Sequence, residues 1–282
     1  MIGTLAILAP GLLGASLAQA AKSRSLAKRV VVWARRVETR MDAARQPWCD
    51  AVFDTPEEAA AEADFIVLCP PVESIVPLAE RIAEALKPHA IVTDVGSTKS
   101  LICRYAHKAI HGGAVFVGSH PMAGSEKSGM AHATAELFTR RPCFVTPLDD
   151  TPEKAVKTVV HFWRELDMEV TTIAPEAHDE IVANISHLPH VLATVLCTHL
   201  AEHNQTWAAF SGQGLADTTR IAAGSPPLWR SIVEQNREEI LRSITAFENE
   251  LHQFKSALAN ENYFEVLHKL ELGKRFRDKL QR

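Results

Sequence analysis

The chain has 282 residues, of which 46% are hydrophobic and 23% charged, a composition typical of a soluble globular protein with room for two domains. Its formal net charge of -4 gives no electrostatic reason to bind nucleic acid or an anionic membrane, and no run reaches the roughly 18 uninterrupted apolar residues of a membrane span. The 5 cysteines are odd in number and far apart, which argues against a disulfide framework or a zinc site and fits a cytoplasmic protein.

The first predicted element is a short apolar strand over residues 4–8, which leads through a glycine-containing turn into a helix. The turn is similar to G-x-G-x-x-G, in which N–H groups at the start of a helix hold a dinucleotide pyrophosphate. Gly11 lets the backbone approach the pyrophosphate, and Gly14 lets the helix pack closely on the strand. Because Ala9 stands where the tight-turn glycine belongs, the motif is degenerate and weak by itself.

The second predicted strand, residues 29–33, is followed by basic residues. An NAD-binding unit usually has an acid about twenty residues after the glycine turn, where it binds the ribose 2′-OH. Here Ala34 is followed by Arg35 and Arg36, whose guanidinium groups suit a 2′-phosphate. The alternative is a solvated pair of charges at a strand end. The missing acid and the added bases together favour NADP over NAD as the cofactor.

Strand-like and helix-like segments then alternate, which predicts an α/β fold with a Rossmann-type, doubly wound and mostly parallel sheet. One of these strands is stopped by Pro70, and the last β-α-β unit, residues 143–173, is expected to extend the same sheet. After that unit no strand-like run of comparable quality remains. The predicted domains are a dinucleotide-binding domain over residues 1–174 and an all-helical domain over residues 175–282.

Two polar segments follow neighbouring strands of this sheet. Asp94, Ser97 and Lys99 come after one strand, and residues 117–129 contain His120 among serines and glycines. Because ligands bind at the carboxyl edge of such sheets, the two segments are expected to converge there, with His120 as the candidate catalytic residue. The alternative is a polar surface loop without chemistry. The cofactor contacts predicted at this edge are Gly11, Leu12, Leu13, Gly14, Arg35, Arg36, Pro70 and Asp94.

The second half of the chain reads as long helices over residues 176–202, 228–259 and 263–280. Within the second of these, apolar residues recur at steps of three and four and form a wide stripe. The helix is longer than a lone domain of this size needs. Its surplus apolar face is therefore expected to pack against another subunit in a homodimer.

Two polar clusters interrupt the helical half. His187 and His190 lie three residues apart, on either side of Pro189, which should kink the helix. They are either structural histidines or ligand contacts, and because a third metal ligand is missing no metal site is predicted. Asp217 and Arg220 follow a glycine-loosened turn, where Arg220 either pairs with Asp217 or binds a substrate.

Four segments occur in order along nearly the whole chain: D-V-G-S-T-K at residues 94–99, G-S-H-P-M-A-G-S-E-K-S-G at 118–129, I-S-H-L-P-H at 185–190 and D-T-T-R-I-A at 217–222. Together they resemble the prephenate/arogenate dehydrogenase family of tyrosine biosynthesis. The resemblance implies a Rossmann-type domain followed by an all-helical dimerisation domain. It also implies NAD(P)-dependent oxidative decarboxylation of prephenate to 4-hydroxyphenylpyruvate, or of arogenate to tyrosine.

By this resemblance, His120 is the catalytic imidazole that accepts a hydrogen bond from the ring C4 hydroxyl. Ser97 supports that hydroxyl, and Arg220 binds a substrate carboxylate. The chemistry agrees, because a neutral imidazole with a pKa of about 6.5 can take the hydroxyl proton near neutral pH as hydride leaves C4. The further substrate contacts implied by the resemblance are Ser125, Glu126, Lys127, His187, His190 and Asp217.

Two other functions remain open. Another two-domain dehydrogenase or an imine reductase would share the architecture, although it would not require the four segments together. A non-catalytic dinucleotide-binding dimer is suggested by the missing first glycine, and it would bind nucleotide without turnover. Release of CO2 from prephenate or arogenate separates these functions, and no residue decides between the two substrates.

Overall fold

The structure is a computed structural model that describes residues 1–124, 127, 129–203 and 205–280. Its strands are β1 (Ile2–Leu8), β2 (Ala27–Trp33), β3 (Ala51–Val52), β4 (Phe65–Leu68), β5 (Ile91–Asp94), β6 (Val115–Phe116), β7 (Gly118–Pro121), β8 (Pro142–Thr146) and β9 (Glu169–Thr172). Its α-helices are α1 (Leu12–Ser23), α2 (Val37–Ala44), α3 (Pro56–Ala61), α4 (Val72–Ile82), α5 (Ser100–Ala109), α6 (Glu153–Glu165), α7 (Pro175–Val182), α8 (Leu188–Ala201), α9 (Gln213–Thr219), α10 (Pro226–Gln235), α11 (Arg237–Ala259) and α12 (Tyr263–Lys279).

The first six strands form one parallel sheet in the order β3-β2-β1-β4-β5-β6. Its strands are apolar on both faces because helices cover both sides. In β1, Leu5 and Ile7 belong to one core cluster, whereas Ala6 and Leu8 belong to the other. This arrangement confirms the predicted Rossmann-type sheet, and it places the ends of all six strands at one edge.

The last three strands form a separate sheet, so the prediction that residues 143–173 extend the first sheet is wrong. β8 pairs antiparallel with β7 and parallel with β9. The chain leaves the first sheet at Val117, the single residue between β6 and β7. At Gly118 an added Cβ would lie 2.4 Å from Cys103 Sγ and 2.6 Å from Thr146 Oγ1, so a side chain has no space. Residues 118–121 are therefore a buried strand rather than a loop.

α7 and α8 belong to one helical run, Pro175–Ala201, which confirms the first predicted long helix. A π-helical segment, Ala183–His187, lies directly before Pro189, where a kink was predicted. Pro189 has no N–H to donate to the carbonyl of Ile185, and its ring would clash with that carbonyl in a regular helix. The wider π-helical turn at Ile185 accommodates both effects.

The same run is long and apolar enough to cross a membrane, with a mean hydropathy of 1.4, and it is the one such helix among the described residues. His178 and Asp179 lie within it, where they are buried and hydrogen-bonded to α5 and β7 of the sheet region. Those contacts are typical of a helix packed inside a globular fold. Apolar side chains that remain exposed, Ile181, Ile185 and Val195, are available to another subunit.

The chain divides into two compact units, residues 1–236 and 237–282. In the first unit α7 packs on α5 and α10 packs on α4. Ile232 joins one of the sheet's core clusters, and Trp229 packs against it. The contacts therefore group α7 to α10 with the sheet, while the domain boundary at 174/175 stays a prediction.

The second unit consists of α11 and α12, which pack on each other with an ion pair between Lys269 and Glu250 (2.8 Å). The predicted single helix over residues 228–259 is interrupted at Asn236, whose buried side chain donates to the carbonyl of Asp179 (2.9 Å). The second unit exposes many large apolar side chains, as expected for a subunit contact. They are Leu241, Leu251, Leu258, Tyr263, Phe264, Leu267, Leu270, Leu272, Phe276 and Leu280.

Candidate active site

The turn between β1 and α1 has the geometry of a dinucleotide site despite its missing glycine. Ala9 adopts a φ of 70°, the left-handed conformation that a glycine would adopt freely. At Gly14 an added Cβ would lie 3.0 Å from Ile7 Cγ2 and 3.2 Å from Cys69 Cβ, so the helix packs closely on the sheet. At Gly11 an added Cβ would meet no atom of the described residues within 4 Å. The turn therefore has open space where a pyrophosphate fits.

The N-terminus of α1 provides donors for that anion. Gly11 is the N-cap, and among the described residues no side chain caps the helix. The first N–H groups of a helix, here those of Leu12 and Leu13, have no acceptor within the helix. Together with the helix dipole they favour an anion at this position. The residues present therefore fit the diphosphate of a dinucleotide.

Arg35 and Arg36 follow β2 with exposed side chains, and with the described residues neither guanidinium forms an ion pair. The end of β2 lies beside the glycine turn, since the Ala9 N–H donates to the Trp33 carbonyl (2.8 Å). Pro70, at the end of the neighbouring β4, is half-buried. Two unpaired cations close to the turn are compatible with the predicted 2′-phosphate.

Asp94 is fully buried, and its side chain has a structural role. Its carboxylate pairs with Lys99 and accepts the backbone N–H groups of Gly96 (2.8 Å) and Ser119 (3.0 Å). Lys99 also donates to the carbonyl of Ser119 (2.9 Å). Its side chain is 0% exposed and joins the end of β5 to the strand that carries His120, while the cofactor contact of Asp94 stays a prediction.

His120 lies on β7 and is 8% exposed. Its Nδ1 is 2.9 Å from Nε2 of His178, and the two rings meet edge to face. Burial holds the pKa of His120 well below its usual value, and the positive charge of Lys99 acts in the same direction. The imidazole is therefore neutral at physiological pH, as a general base must be.

His178 and Asp179 connect His120 to α5, and the sequence analysis did not single them out. His178 Nδ1 is 2.8 Å from Asp179 Oδ1, and the same carboxylate accepts the backbone N–H groups of Lys99 (2.7 Å) and Ser100 (2.8 Å). Burial raises the pKa of Asp179, but hydrogen bonds from His178 and Ser100 outweigh it and hold the pKa below its usual range. The only signal in the sequence was an adjacent His and Asp near the start of a helix.

Ser97 lies in the tight loop between β5 and α5 and is half-buried. An added Cβ on the preceding Gly96 would lie 2.7 Å from Ile75 Cδ1, so the loop is closely packed. The following Thr98 donates to Gln235 of α10 (2.6 Å). The Ser97 hydroxyl itself forms no hydrogen bond with the residues that the structure describes, which leaves it available to a ligand.

His187 and His190 are 1% and 7% exposed. Asn236 donates to His187 Nδ1 (3.1 Å), and the ring of His190 stacks on Trp229 with centroids 3.4 Å apart. Within the described part of the chain, His187 Nε2 and His190 Nδ1 are buried without a hydrogen-bond partner. Buried polar atoms nearly always have a partner, so these two nitrogens are suited to polar groups of a ligand.

Asp217 and Arg220 are both exposed. Asp217 accepts a hydrogen bond from Gln213 (2.8 Å), one turn earlier in α9. Arg220 begins a short 3-10 helix that packs on α8. At Gly224, directly after that helix, an added Cβ would lie 3.1 Å from His190 Cε1. The segment that carries Arg220 therefore lies against the His190 side of the candidate site.

Three substrate contacts were predicted at residues 125–127. Lys127 is exposed, whereas Ser125 and Glu126 lie outside the described residues. Among the residues with described positions, no group of three His, Cys, Asp or Glu side chains is arranged to hold a metal ion. A site that works without metal stays a prediction.

These contacts bring the first and second halves of the chain together. Lys99 joins the Ser97 loop to the His120 strand, and Asp179 joins the same loop to α7. The result is a buried neutral base on a strand that is bound to the loop carrying a half-buried hydroxyl. Such a pair is suited to removing a proton from a hydroxyl group of a ligand.

Comparison with known proteins gave two family models. Residues 17–172 match the model described as prephenate dehydrogenase, nucleotide-binding domain, and residues 174–272 match prephenate dehydrogenase, dimerization domain. A cyclohexadienyl dehydrogenase of Zymomonas mobilis is 31% identical over 92% of this chain and 89% of its own. A prephenate dehydrogenase of Bacillus subtilis is 30% identical over 99% of this chain and 76% of its own.

Two solved structures have the same fold over nearly their full lengths. Prephenate dehydrogenase from A. aeolicus, in complex with hydroxyphenyl propionate and NAD+, superimposes with a TM-score of 0.94 at 27% identity, covering 100% of this chain and 99% of that one. Arogenate dehydrogenase from Synechocystis superimposes with a TM-score of 0.85 at 28% identity, covering 98% and 99%.

Proposed function

Because the chain belongs to the prephenate dehydrogenase family of dinucleotide-dependent oxidoreductases, we propose that it oxidises and decarboxylates prephenate or arogenate by removal of hydride from ring C4. The products are 4-hydroxyphenylpyruvate and tyrosine, respectively. The observation that carries the proposal is the buried, neutral His120, held by Lys99 and Ser119 beside the loop that presents Ser97.

The reaction needs one neutral proton acceptor beside the C4 hydroxyl. The turn around Gly11 would hold a nicotinamide cofactor, which would supply the hydride acceptor. His120 accepts the proton of the C4 hydroxyl, and Ser97 donates a hydrogen bond that orients the same oxygen. Loss of the ring carboxylate as CO2 produces an aromatic ring, so the protein needs mainly to position and deprotonate its substrate.

The substrate has two anionic groups, and the proposal assigns one carboxylate to Arg220. A guanidinium group matches a carboxylate with two parallel hydrogen bonds. His187 Nε2 and His190 Nδ1, which have no hydrogen-bond partner among the described residues, are proposed as further substrate contacts. Gly224, directly after the Arg220 segment, lies beside His190. Further substrate contacts are proposed for Ser125, Glu126, Lys127 and Asp217.

We propose NADP as the preferred cofactor. Arg35 and Arg36, which are exposed and form no ion pair with the described residues, support this preference, because a 2′-phosphate adds two negative charges at the end of β2. Steady-state kinetics with both cofactors test it. NADP is expected to have the lower KM, and Arg35→Ala with Arg36→Ala is expected to remove that difference. A lower KM for NAD in the unmodified chain would contradict the proposal.

The decisive experiment is turnover of prephenate and of arogenate, measured by CO2 release and by reduced cofactor. Release of CO2 with either substrate supports the proposed reaction and identifies the substrate. Nucleotide binding without any turnover would instead favour the non-catalytic dimer. The missing first glycine suggested that alternative, but Ala9 adopts the backbone conformation expected of a glycine at this position.

We further propose a homodimer in the cytoplasm. The match of residues 174–272 to a dimerization domain and the exposed apolar side chains of α11 and α12 support the dimer. All 5 cysteines are free thiols, which fits a reducing compartment. Sedimentation at about twice the chain mass of 31.0 kDa is the expected result.

A further inference from the structure

The candidate base has an unusual partner. A catalytic histidine is commonly oriented by a carboxylate, but the Nδ1 of His120 faces a second imidazole, that of His178, at 2.9 Å. His178 in turn faces Asp179 at 2.8 Å. All three side chains are buried, at 8%, 0% and 3% exposure. They form a continuous hydrogen-bonded chain from the base to a carboxylate.

The direction of each hydrogen bond follows from the acceptor at the end of this chain. Asp179 accepts the backbone N–H groups of Lys99 and Ser100, so it is ionised and can only accept. His178 Nδ1 must therefore carry a proton, which leaves Nε2 of the neutral ring as an acceptor. It follows that His120 carries its proton on Nδ1, and that its Nε2 has the lone pair.

We propose that His178 and Asp179 are positioning residues that fix the Nδ1–H tautomer of His120, and that His178, held by Asp179, accepts that proton during turnover. The inference rests on the proposed function. As hydride leaves C4, the electrons of the C4 O–H bond form the carbonyl, and its proton bonds to His120 Nε2. The Nδ1–H bond of His120 then breaks as a new N–H bond forms at His178 Nε2. The proton that His120 gained later leaves to water, and the His178 proton returns to Nδ1.

The charges around the three residues explain why a second histidine helps. The titratable and charged groups that act on His120 and His178 are Lys99, Asp94, Asp179 and His187. Burial and the positive charge of Lys99 oppose positive charge on His120. At His178 burial also lowers the pKa, but the hydrogen bond and charge of Asp179 raise it. A proton is therefore held more easily at His178 than at His120.

The tautomer can be tested without substrate. Histidine ¹⁵N NMR of the whole protein, with His120→Asn used to assign the signal, reports which ring nitrogen of His120 carries hydrogen. The expected result at pH 7 is a protonated Nδ1 and an unprotonated Nε2. A His120 signal with hydrogen on Nε2 would overturn the inference, whatever the enzyme turns over.

The proton transfer is tested by His178→Gln, whose amide can hold the hydrogen bond to His120 but cannot accept a proton. We expect kcat to fall about 10²-fold at nearly unchanged KM. The acid limb of the pH profile should move to lower pH, because the proton that the His120–His178 pair takes up can no longer rest on residue 178. Asp179→Asn should shift the limb in the same direction. The control is His161→Gln, an exposed residue of α6 with 74% side-chain exposure.

The outcomes separate this inference from the function on which it rests. Turnover by the unmodified enzyme, with the shifted acid limb in His178→Gln, supports both. A His178→Gln variant with native kcat, or with a lowered kcat and an unmoved acid limb, would show that His178 has a structural role only. Either result would overturn the inference. An unmodified enzyme that turns over neither prephenate nor arogenate would overturn the proposed function, and the proton transfer with it.

Discussion

His120 is surrounded by protein, and its protonation state is set by its neighbours more than by solvent. Burial and the charge of Lys99 keep the ring neutral, so it can accept a proton at physiological pH. The same burial makes the protonated ring costly. A residue with these properties suits a base that acts within a short hydrogen-bonded chain.

Replacement of His120 tests the base directly. His120→Asn keeps a polar side chain of similar size on β7, so the fold and the dimer should persist. We expect kcat to fall by about 10² to 10⁴, the usual range for loss of a general base. Steady-state kinetics and circular dichroism measure the two effects. Turnover at the native rate would show that the base lies elsewhere.

Replacement of Arg220 tests the carboxylate contact. Arg220→Ala removes a charge-assisted pair made in both ground and transition states, so it should mainly raise KM and change kcat little. Arg230→Ala is a matched control, because Arg230 is exposed and pairs only with Glu234 one turn along α10 among the described residues. Equal KM values for the two variants would argue against substrate binding by Arg220.

At the scale of elements, the glycine turn assigns different functions to two glycines. Gly14 is packed against β1 and β4, whereas the space beside Gly11 contains no atom of the described residues. A methyl group at Gly14 would therefore clash with neighbouring protein atoms, whereas one at Gly11 would occupy space meant for a ligand. The two positions form a matched pair in the same short segment.

Substitution of each glycine by alanine should separate stability from cofactor binding. Gly14→Ala is expected to lower the free energy of unfolding by about 1 to 3 kcal/mol, the usual cost of overpacking. Gly11→Ala should leave stability nearly unchanged and raise the KM for the cofactor. Urea unfolding and steady-state kinetics provide the two readouts. A destabilised Gly11→Ala with native cofactor KM would contradict this division.

The ion pair of Asp94 and Lys99 joins β5 to β7 and sets the position of both active-site segments. Removing one partner of a buried pair leaves the other charge unpaired, so Lys99→Ala should cost about 3 to 5 kcal/mol. Lys87→Ala, which breaks an exposed pair with Asp64, should cost less than about 1 kcal/mol. Urea unfolding of both variants tests this contrast. Similar losses in the two would show that the buried pair has no special structural role.

At the scale of the whole molecule, buried histidines should make stability depend on pH. Burial lowers the pKa of His187 to about 4, whereas an unfolded chain has a histidine pKa of about 6.5. Between these values the unfolded state binds a proton that the folded state does not, so stability falls as pH falls through this window. The buried His120 and His178, whose pKa values are also lowered, act in the same direction.

This pH dependence can be measured by urea unfolding between pH 7 and pH 4. His187 alone should account for a loss of up to about 3 kcal/mol in the unmodified protein. His187→Gln should reduce the loss, and the exposed His161→Gln should not. An equal slope in His187→Gln and the unmodified chain would contradict burial as the cause.

The sequence by itself determined the architecture and the main catalytic candidate. Alternation of apolar strands and amphipathic helices predicts a parallel sheet because each pattern reflects which face of one local element is buried. The polar residues after β5 and around His120 were predicted to meet at one sheet edge, and Lys99 and Ser119 join them there. The four motif segments indicated the family, which the matched domains confirm.

Only the tertiary structure decided how distant segments meet. His178 lies 58 residues from His120, and their hydrogen bond has no counterpart in local periodicity. The separation of β7 to β9 into a second sheet depends on which strand edges pair, and the buried role of Asp94 depends on Lys99 filling the space beside it. Local sequence patterns indicate which face of a helix or strand is buried. They do not indicate which distant donors and acceptors pair, because each buried polar group finds its partner only when the chain packs.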